Sequence, residues 1–110
     1  MDTQLFKIKF PKEELFQFLN NVCEKNNEYY ILNNESYKKS IYLNILSPFL
    51  ENLKNCYYQS KKFYIERTMN YNNYITIIRQ ICKSNNISLI KIIKYYKSTY
   101  HIEYHIYDKN

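Results

Sequence analysis

The stretch Ser88-Leu89-Ile90-Lys91-Ile92-Ile93-Lys94-Tyr95-Tyr96, followed by Tyr100-His101-Ile102-Glu103-Tyr104-His105-Ile106-Tyr107, decides the fold class. In the second half, Tyr100, Ile102, Tyr104 and Ile106 alternate with His101, Glu103, His105 and Tyr107. A period of two places one set on each face of a strand. The first half is apolar and rich in β-branched residues, so both halves are predicted strands. Lys97-Ser98-Thr99 reads as the turn of a hairpin. A three-residue loop would set Ile90 against Ile106 and Ile92 against Tyr104, apolar on apolar. Such loops favour Gly, which this chain lacks, so the register stays open.

Upstream, Leu5 to Phe10 alternates with Phe6, Ile8 and Phe10 on one face, and predicts a half-buried strand ended by Pro11. Lys12 to Lys25 predicts a helix with the stripe Leu15, Phe16, Leu19, Val22 and Cys23. Glu13 and Glu14 suit its first turn, and Asn26-Asn27 its end. Tyr29 to Leu32 is a short strand. Asn34 would cap a helix carrying Tyr37, Ile41, Tyr42 and Ile45. Ser47-Pro48 would open the next, with Phe49, Leu50, Leu53, Cys56 and Tyr57 inward. Residues 59–68 fit a helix or a strand, with the helix preferred. Asn70 would cap a helix reaching Lys83, with Tyr71, Tyr74, Ile75, Ile78, Ile81 and Cys82 inward. The order is β-α-β-α-α-α-β-β, an α+β domain spanning residues 1–110 with helices on one face of an antiparallel sheet. Parallel pairing of the two N-terminal strands through the first helix is an alternative.

The 110 residues suit one domain with one core. Asn, Ile, Lys and Tyr make up more than half of them, while Gly, Ala and Trp are absent. Codons rich in A and T explain that bias, so part of the net charge of +6 is compositional. No apolar run is long enough for a membrane span, and the N-terminus has no secretory pattern, so a soluble intracellular protein is expected.

Without glycine there is no phosphate-binding loop, dinucleotide fingerprint or nucleophile elbow. The expectation is a protein without enzymatic activity or cofactor. Cys23, Cys56 and Cys82 lie on helix stripes without paired spacing and read as buried thiols. His101 and His105, four apart in a strand, are too distant to share a metal ion.

Tyr57-Tyr58-Gln59-Ser60-Lys61-Lys62-Phe63-Tyr64-Ile65-Glu66-Arg67 interleaves cations with rings, as single-stranded nucleic acid requires. Lys61, Lys62, Arg67 and Arg79 are the candidate phosphate contacts, and Tyr64 or Tyr58 the stacking ring. Arg is scarce in this chain, and its planar fork suits a phosphate or an internal carboxylate. A second basic strip is expected on the outer hairpin face, from Lys91, Lys94, Lys97, His101 and His105 with Tyr95 and Tyr107. The leading expectation is an accessory domain that binds DNA or RNA. The alternative is a virion-structural or host- or viral-protein interaction module that uses exposed tyrosines and an edge strand.

The segment 57–67, with Tyr71-Asn72-Asn73-Tyr74, Ile78-Arg79-Gln80-Ile81-Cys82-Lys83 and Lys94-Tyr95-Tyr96-Lys97-Ser98-Thr99-Tyr100, resembles a family of small uncharacterised proteins of giant, mimivirus-like DNA viruses. The resemblance covers roughly residues 5–107. Arg79-Gln80-Ile81-Cys82 is its most specific run. It implies a viral protein in the host cytoplasm or the virion, and carries no catalytic residues.

Overall fold

A computed structural model describes residues 10–56 and 70–109, with side chains for 10–53 and 70–109. Leu5–Lys9 and the ambiguous segment 59–68 lie outside the described residues. The described elements are α1 (Lys12–Val22), β1 (Glu24–Asn26), β2 (Tyr29–Leu32), α2 (Asn34–Tyr42), α3 (Leu46–Cys56), α4 (Tyr71–Ser84), β3 (Ile87–Tyr96) and β4 (Thr99–Asp108). The four strands form one antiparallel sheet in the order β1-β2-β4-β3. The fold is α+β, with the helices on the sheet.

Two tight turns phase this sheet. Asn26 pairs with Tyr29 and Tyr96 with Thr99, so each hairpin closes through two residues. The pair flanking such a turn exchanges both hydrogen bonds, and bonding alternates from there. Tyr29 and Ile31 are therefore spent on β1, leaving Tyr30 and Leu32 to bond across to Ile106 and Tyr104 of β4. Turns of this kind need a positive φ, which glycine normally supplies. Here Asn27 takes φ 57°, and so does Lys97. Asn44 and Asn86 hold similar values, so among the described residues of this glycine-free chain three of the four left-handed residues are asparagine, the best substitute.

Lys97 has no such excuse. Lys97→Gly is expected to stabilise the protein by about 1 kcal/mol, from the relief of left-handed strain. That corresponds to roughly 4 °C in Tm for a domain of this size. A scanning-calorimetry trace with an unchanged or lower Tm would refute the two-residue turn.

Several boundaries differ from the sequence expectation. The first helix stops at Val22 rather than Lys25, because Cys23 turns extended (φ −109°, ψ 150°) and Glu24–Asn26 pairs with β2. Asn33, not Asn34, caps α2: its side chain accepts from the Ser36 amide at 3.1 Å, and Ser36 Oγ accepts from the Asn33 amide at 3.1 Å. The third helix starts two residues before Pro48, whose missing N–H costs nothing in a first turn. The Asn70 cap is present, accepting from the Asn73 amide at 2.9 Å. The hairpin register is one residue off the apolar pairing expected: Leu89, not Ile90, opposes Ile106, and Lys91, not Ile92, opposes Tyr104. The turn chemistry set the register, and Lys91 was carried opposite a tyrosine.

The core lies between the helices and one sheet face. Leu15, Phe18, Leu19 and Val22 of α1, Phe49 and Leu53 of α3, and Tyr74, Ile78 and Ile81 of α4 meet Tyr30, Leu32, Tyr104 and Ile106. Phe18 stacks on Phe49 with ring centroids 4.0 Å apart. Phe10 packs edge-on against Phe49, and its carbonyl accepts from Asn85 at 2.9 Å. Helix α2 departs from the stripe expected of it. Ser36 and Ser40 are buried and Tyr37 is half-buried, whereas Ile41 and Tyr42 face out. The two serines bring the α2 backbone close to its neighbours, and their hydroxyls are satisfied locally by the Ile31 and Tyr37 carbonyls.

Candidate interaction surface

Four of the five residues singled out for nucleic acid, Lys61, Lys62, Tyr64 and Arg67, lie outside the described residues. Arg79 does not stand free on α4. Its guanidinium carbon lies 5.8 Å from the centre of the Tyr104 ring, within range of a cation–π contact.

The basic strip is split by strand alternation, since Lys91 and Lys94 lie three apart in β3 and cannot share a face. Lys94, His101, His105 and Tyr107 share the outer face with Glu103, while Lys91 and Tyr95 lie on the opposite face with Tyr104 and Tyr100. The strip is also neutralised at its middle. Glu103 Oε1 lies 2.7 Å from His105 Nε2 and 3.3 Å from Lys94 Nζ. The Tyr29 ring stacks on His105 at 4.3 Å. These neighbours, the His105 hydrogen bond above all, hold the Glu103 carboxyl below its ordinary value of 4.5. A carboxyl whose pKa falls on folding stabilises the native state above its ordinary value, and that stability drains as pH falls through the lowered one. Glu103→Gln is therefore expected to lower stability at pH 7 and to flatten its decline below about pH 4.5. Urea titrations from about pH 2.5 to about pH 7 test this, since they start above the acid range of about pH 5 to 1 in which such stability is lost and run well into it. Parallel stability curves for the two proteins would refute it.

Of the two thiols among the described residues, Cys82 is buried and Cys23 is half-buried. Desolvation pushes Cys23 and Cys82 up to about 12, which disfavours the thiolate at neutral pH. Cys56 lies in α3, and its side chain lies outside the described residues. Among the described residues no three His, Cys, Asp or Glu side chains are grouped to hold a metal ion. Among them, too, no helix is long and apolar enough to cross a membrane.

What remains open is apolar. Each strand of the β3–β4 hairpin has ten residues, whereas β2 has four, so the hairpin runs beyond the body of the sheet. At its tip Tyr95, Tyr96 and Tyr100 are 78%, 64% and 60% exposed, and Ile90 and Ile93 nearly half exposed. Tyr95 and Tyr100 are cross-strand partners with ring centroids 6.1 Å apart. Where β2 ends, a cleft of about 640 Å³ opens between α2 and the hairpin, with Lys38, Lys39 and Tyr42 on one side and Lys94 and Glu103 on the other.

Strand β3 is an edge: among the described residues, only β4 pairs with it. Its ladder runs unbroken from Ile87–Asp108 to Tyr96–Thr99, without a bulge. Bonding in the hairpin is set from the Tyr96–Thr99 pair, so even-numbered residues of β3 bond to β4. Ile87, Leu89, Lys91, Ile93 and Tyr95 then turn their N–H and C=O groups outward. Natural edges are usually short, bulged or heavily charged, whereas this one is long and carries only Lys91 and Lys94. The sequence offers exposed tyrosines and an edge strand as the alternative expectation, but it sets Tyr95 in the basic strip and does not single out Tyr96 or Tyr100 as exposed. Comparison with protein-family profiles, with curated proteins and with solved structures finds no match, so the hairpin edge and its tyrosines are where a functional reading starts.

Proposed function

We propose that this domain is a non-enzymatic interaction module that receives an extended protein segment on the β3 edge, with Tyr95, Tyr96 and Tyr100 as anchors. One observation carries the reading: a ten-residue, bulge-free edge strand that ends in the exposed Tyr95 and Tyr96, with the exposed Tyr100 of β4 beside them. An added strand gains backbone hydrogen bonds along the edge and side-chain contacts from residues alternating on each face. Tyrosine offers a large, stiff contact area with a hydroxyl that tolerates water, which suits an anchor. In a chain resembling giant-virus proteins, the partner would be a viral or host protein met in the infected cytoplasm or the virion. The described part of the molecule gives nucleic acid less support, because Lys12 and Lys94 are paired with Asp108 and Glu103 and Arg79 lies over the Tyr104 ring.

Selection of displayed random dodecapeptides on the intact protein tests the proposal. Peptides that bind the wild type are expected to lose at least about tenfold in affinity, or 1.4 kcal/mol, on Ile93→Pro and on the triple Tyr95, Tyr96, Tyr100→Ser variant. Ile93→Pro removes an outward N–H and leaves the bonds to β4 intact. Peptides indifferent to both variants would refute the edge as the site. Oligonucleotide binding by fluorescence anisotropy at about 50 mM salt, lost steeply by about 200 mM, would favour nucleic acid instead.

A further inference from the structure

The geometry points to a partner for this edge: we infer that the β3 strands of two copies pair antiparallel about a two-fold axis through Ile92, joining two four-stranded sheets into one. The inference rests on the edge-strand reading above and names its occupant.

The register follows from three constraints. Outward-facing backbone groups belong to the odd-numbered residues of β3, so odd must oppose odd for both copies to exchange hydrogen bonds. The same condition puts like faces side by side, and only then does a two-fold axis normal to the sheet close the pair as a dimer. The third constraint is charge. Like charges directly opposite one another destabilise a strand pair. Lys91 and Lys94 have opposite parity, so no allowed register sets one against the other. The remaining hazard is a lysine facing its own copy. A centre at Lys91 or Lys94 does this and is excluded.

A centre at Ile92 avoids it and keeps the most pairing, from Ser88 to Tyr96 of each copy. Lys91 then faces Ile93, Lys94 faces Ile90, Tyr95 faces Leu89 and Tyr96 faces Ser88. A centre at Ile93 also separates the lysines but shortens the pairing by a residue at each end. In the Ile92 register the exposed Tyr95 and the half-exposed Ile90 and Ile93 each gain a cross-strand neighbour. Lys94 already lies 3.3 Å from Glu103, which tempers its charge at the seam. The two lysines that would guard the edge against most partners are thus accommodated by a second copy of the same strand.

The test uses the full chain. Sedimentation equilibrium is expected to show a monomer–dimer equilibrium in the micromolar range, about 1–100 µM, as suits a small interface. Ile92→Cys places two thiols on the axis in a non-hydrogen-bonded pair, with Cα atoms about 4.5 Å apart, inside the range a disulfide spans. Mild diamide oxidation should link it into a covalent dimer at least about tenfold faster than Ile93→Cys, whose own copies lie on a diagonal beyond easy reach. Wild-type protein, retaining Cys23, Cys56 and Cys82, is the control for the native thiols.

Faster linking through Ile93→Cys than through Ile92→Cys would overturn the register and with it the inference. A protein monomeric at several hundred micromolar would overturn the pairing, and amide exchange then separates two cases. If the amides of Leu89, Lys91 and Ile93 exchange freely, the edge is open and the strand-addition reading survives its failed partner. If they are protected in the monomer, the edge is covered within the chain and both fall.

Discussion

Ile106→Ala is expected to cost about 2–5 kcal/mol, the range for truncating a fully buried aliphatic side chain. For a domain whose whole stability is about 5–15 kcal/mol, that is a large share. Ile106 is completely buried at the middle of the sheet, between Tyr30 of β2 and Leu89 of β3, beneath the Ile78 and Ile81 helix. Truncation removes transfer energy and leaves a cavity that two strands and a helix cannot close together. Urea unfolding followed by circular dichroism reads the loss. Two companion variants make it a test of register. Leu89, cross-strand from Ile106, should cost more on truncation to Ala than Ile90, which is 44% exposed. The reverse order would restore the three-residue turn with Ile90 opposite Ile106.

Asn33→Ala is expected to cost about 1–2 kcal/mol, the upper part of the range for losing a helix cap. Asn33 Oδ1 accepts from the Ser36 amide and, at 3.1 Å, from the Ser36 hydroxyl, which also reaches the Ile31 carbonyl at 3.3 Å. Ser36 is 3% exposed, so its groups cannot turn to water when the cap is lost. Asn34→Ala should by contrast change little, although the sequence reading places the cap at Asn34. Thermal melts of the two variants side by side separate the assignments. A larger loss for Asn34→Ala would refute the capping box.

The sheet and helices were legible for a simple reason. Periodicity is a local property, and the strands at 29–32, 88–96 and 100–107 and the helix from Asn70 declare it in their own residues. The Asn70 cap, the α+β class and the helical stripe of Tyr74, Ile75, Ile78, Ile81 and Cys82 needed no tertiary information. The α2 stripe misled because Ile41 and Tyr42 are more hydrophobic than Ser36 and Ser40, yet close approach of two backbones favours the smaller side chains. Strand β1 was hidden because Glu24-Lys25-Asn26 has no strand signature of its own and pairs only because β2 is next to it.

The candidate surface was legible in kind, as exposed tyrosines and an edge strand, but not in place. Its residues carry no motif, and the segment with the strongest nucleic-acid signature lies outside the described residues. Sequence by itself determined the types of the described elements other than β1, the absence of glycine and the surplus of tyrosine. Tertiary structure decided which of those tyrosines are core and which are surface. Tyr74 and Tyr104 are covered by helix and sheet, while Tyr95, Tyr96 and Tyr100 sit where the hairpin outruns β2. The difference is set by the phase of two tight turns and the length of a neighbouring strand, both properties of pairing between distant segments, which no local pattern encodes.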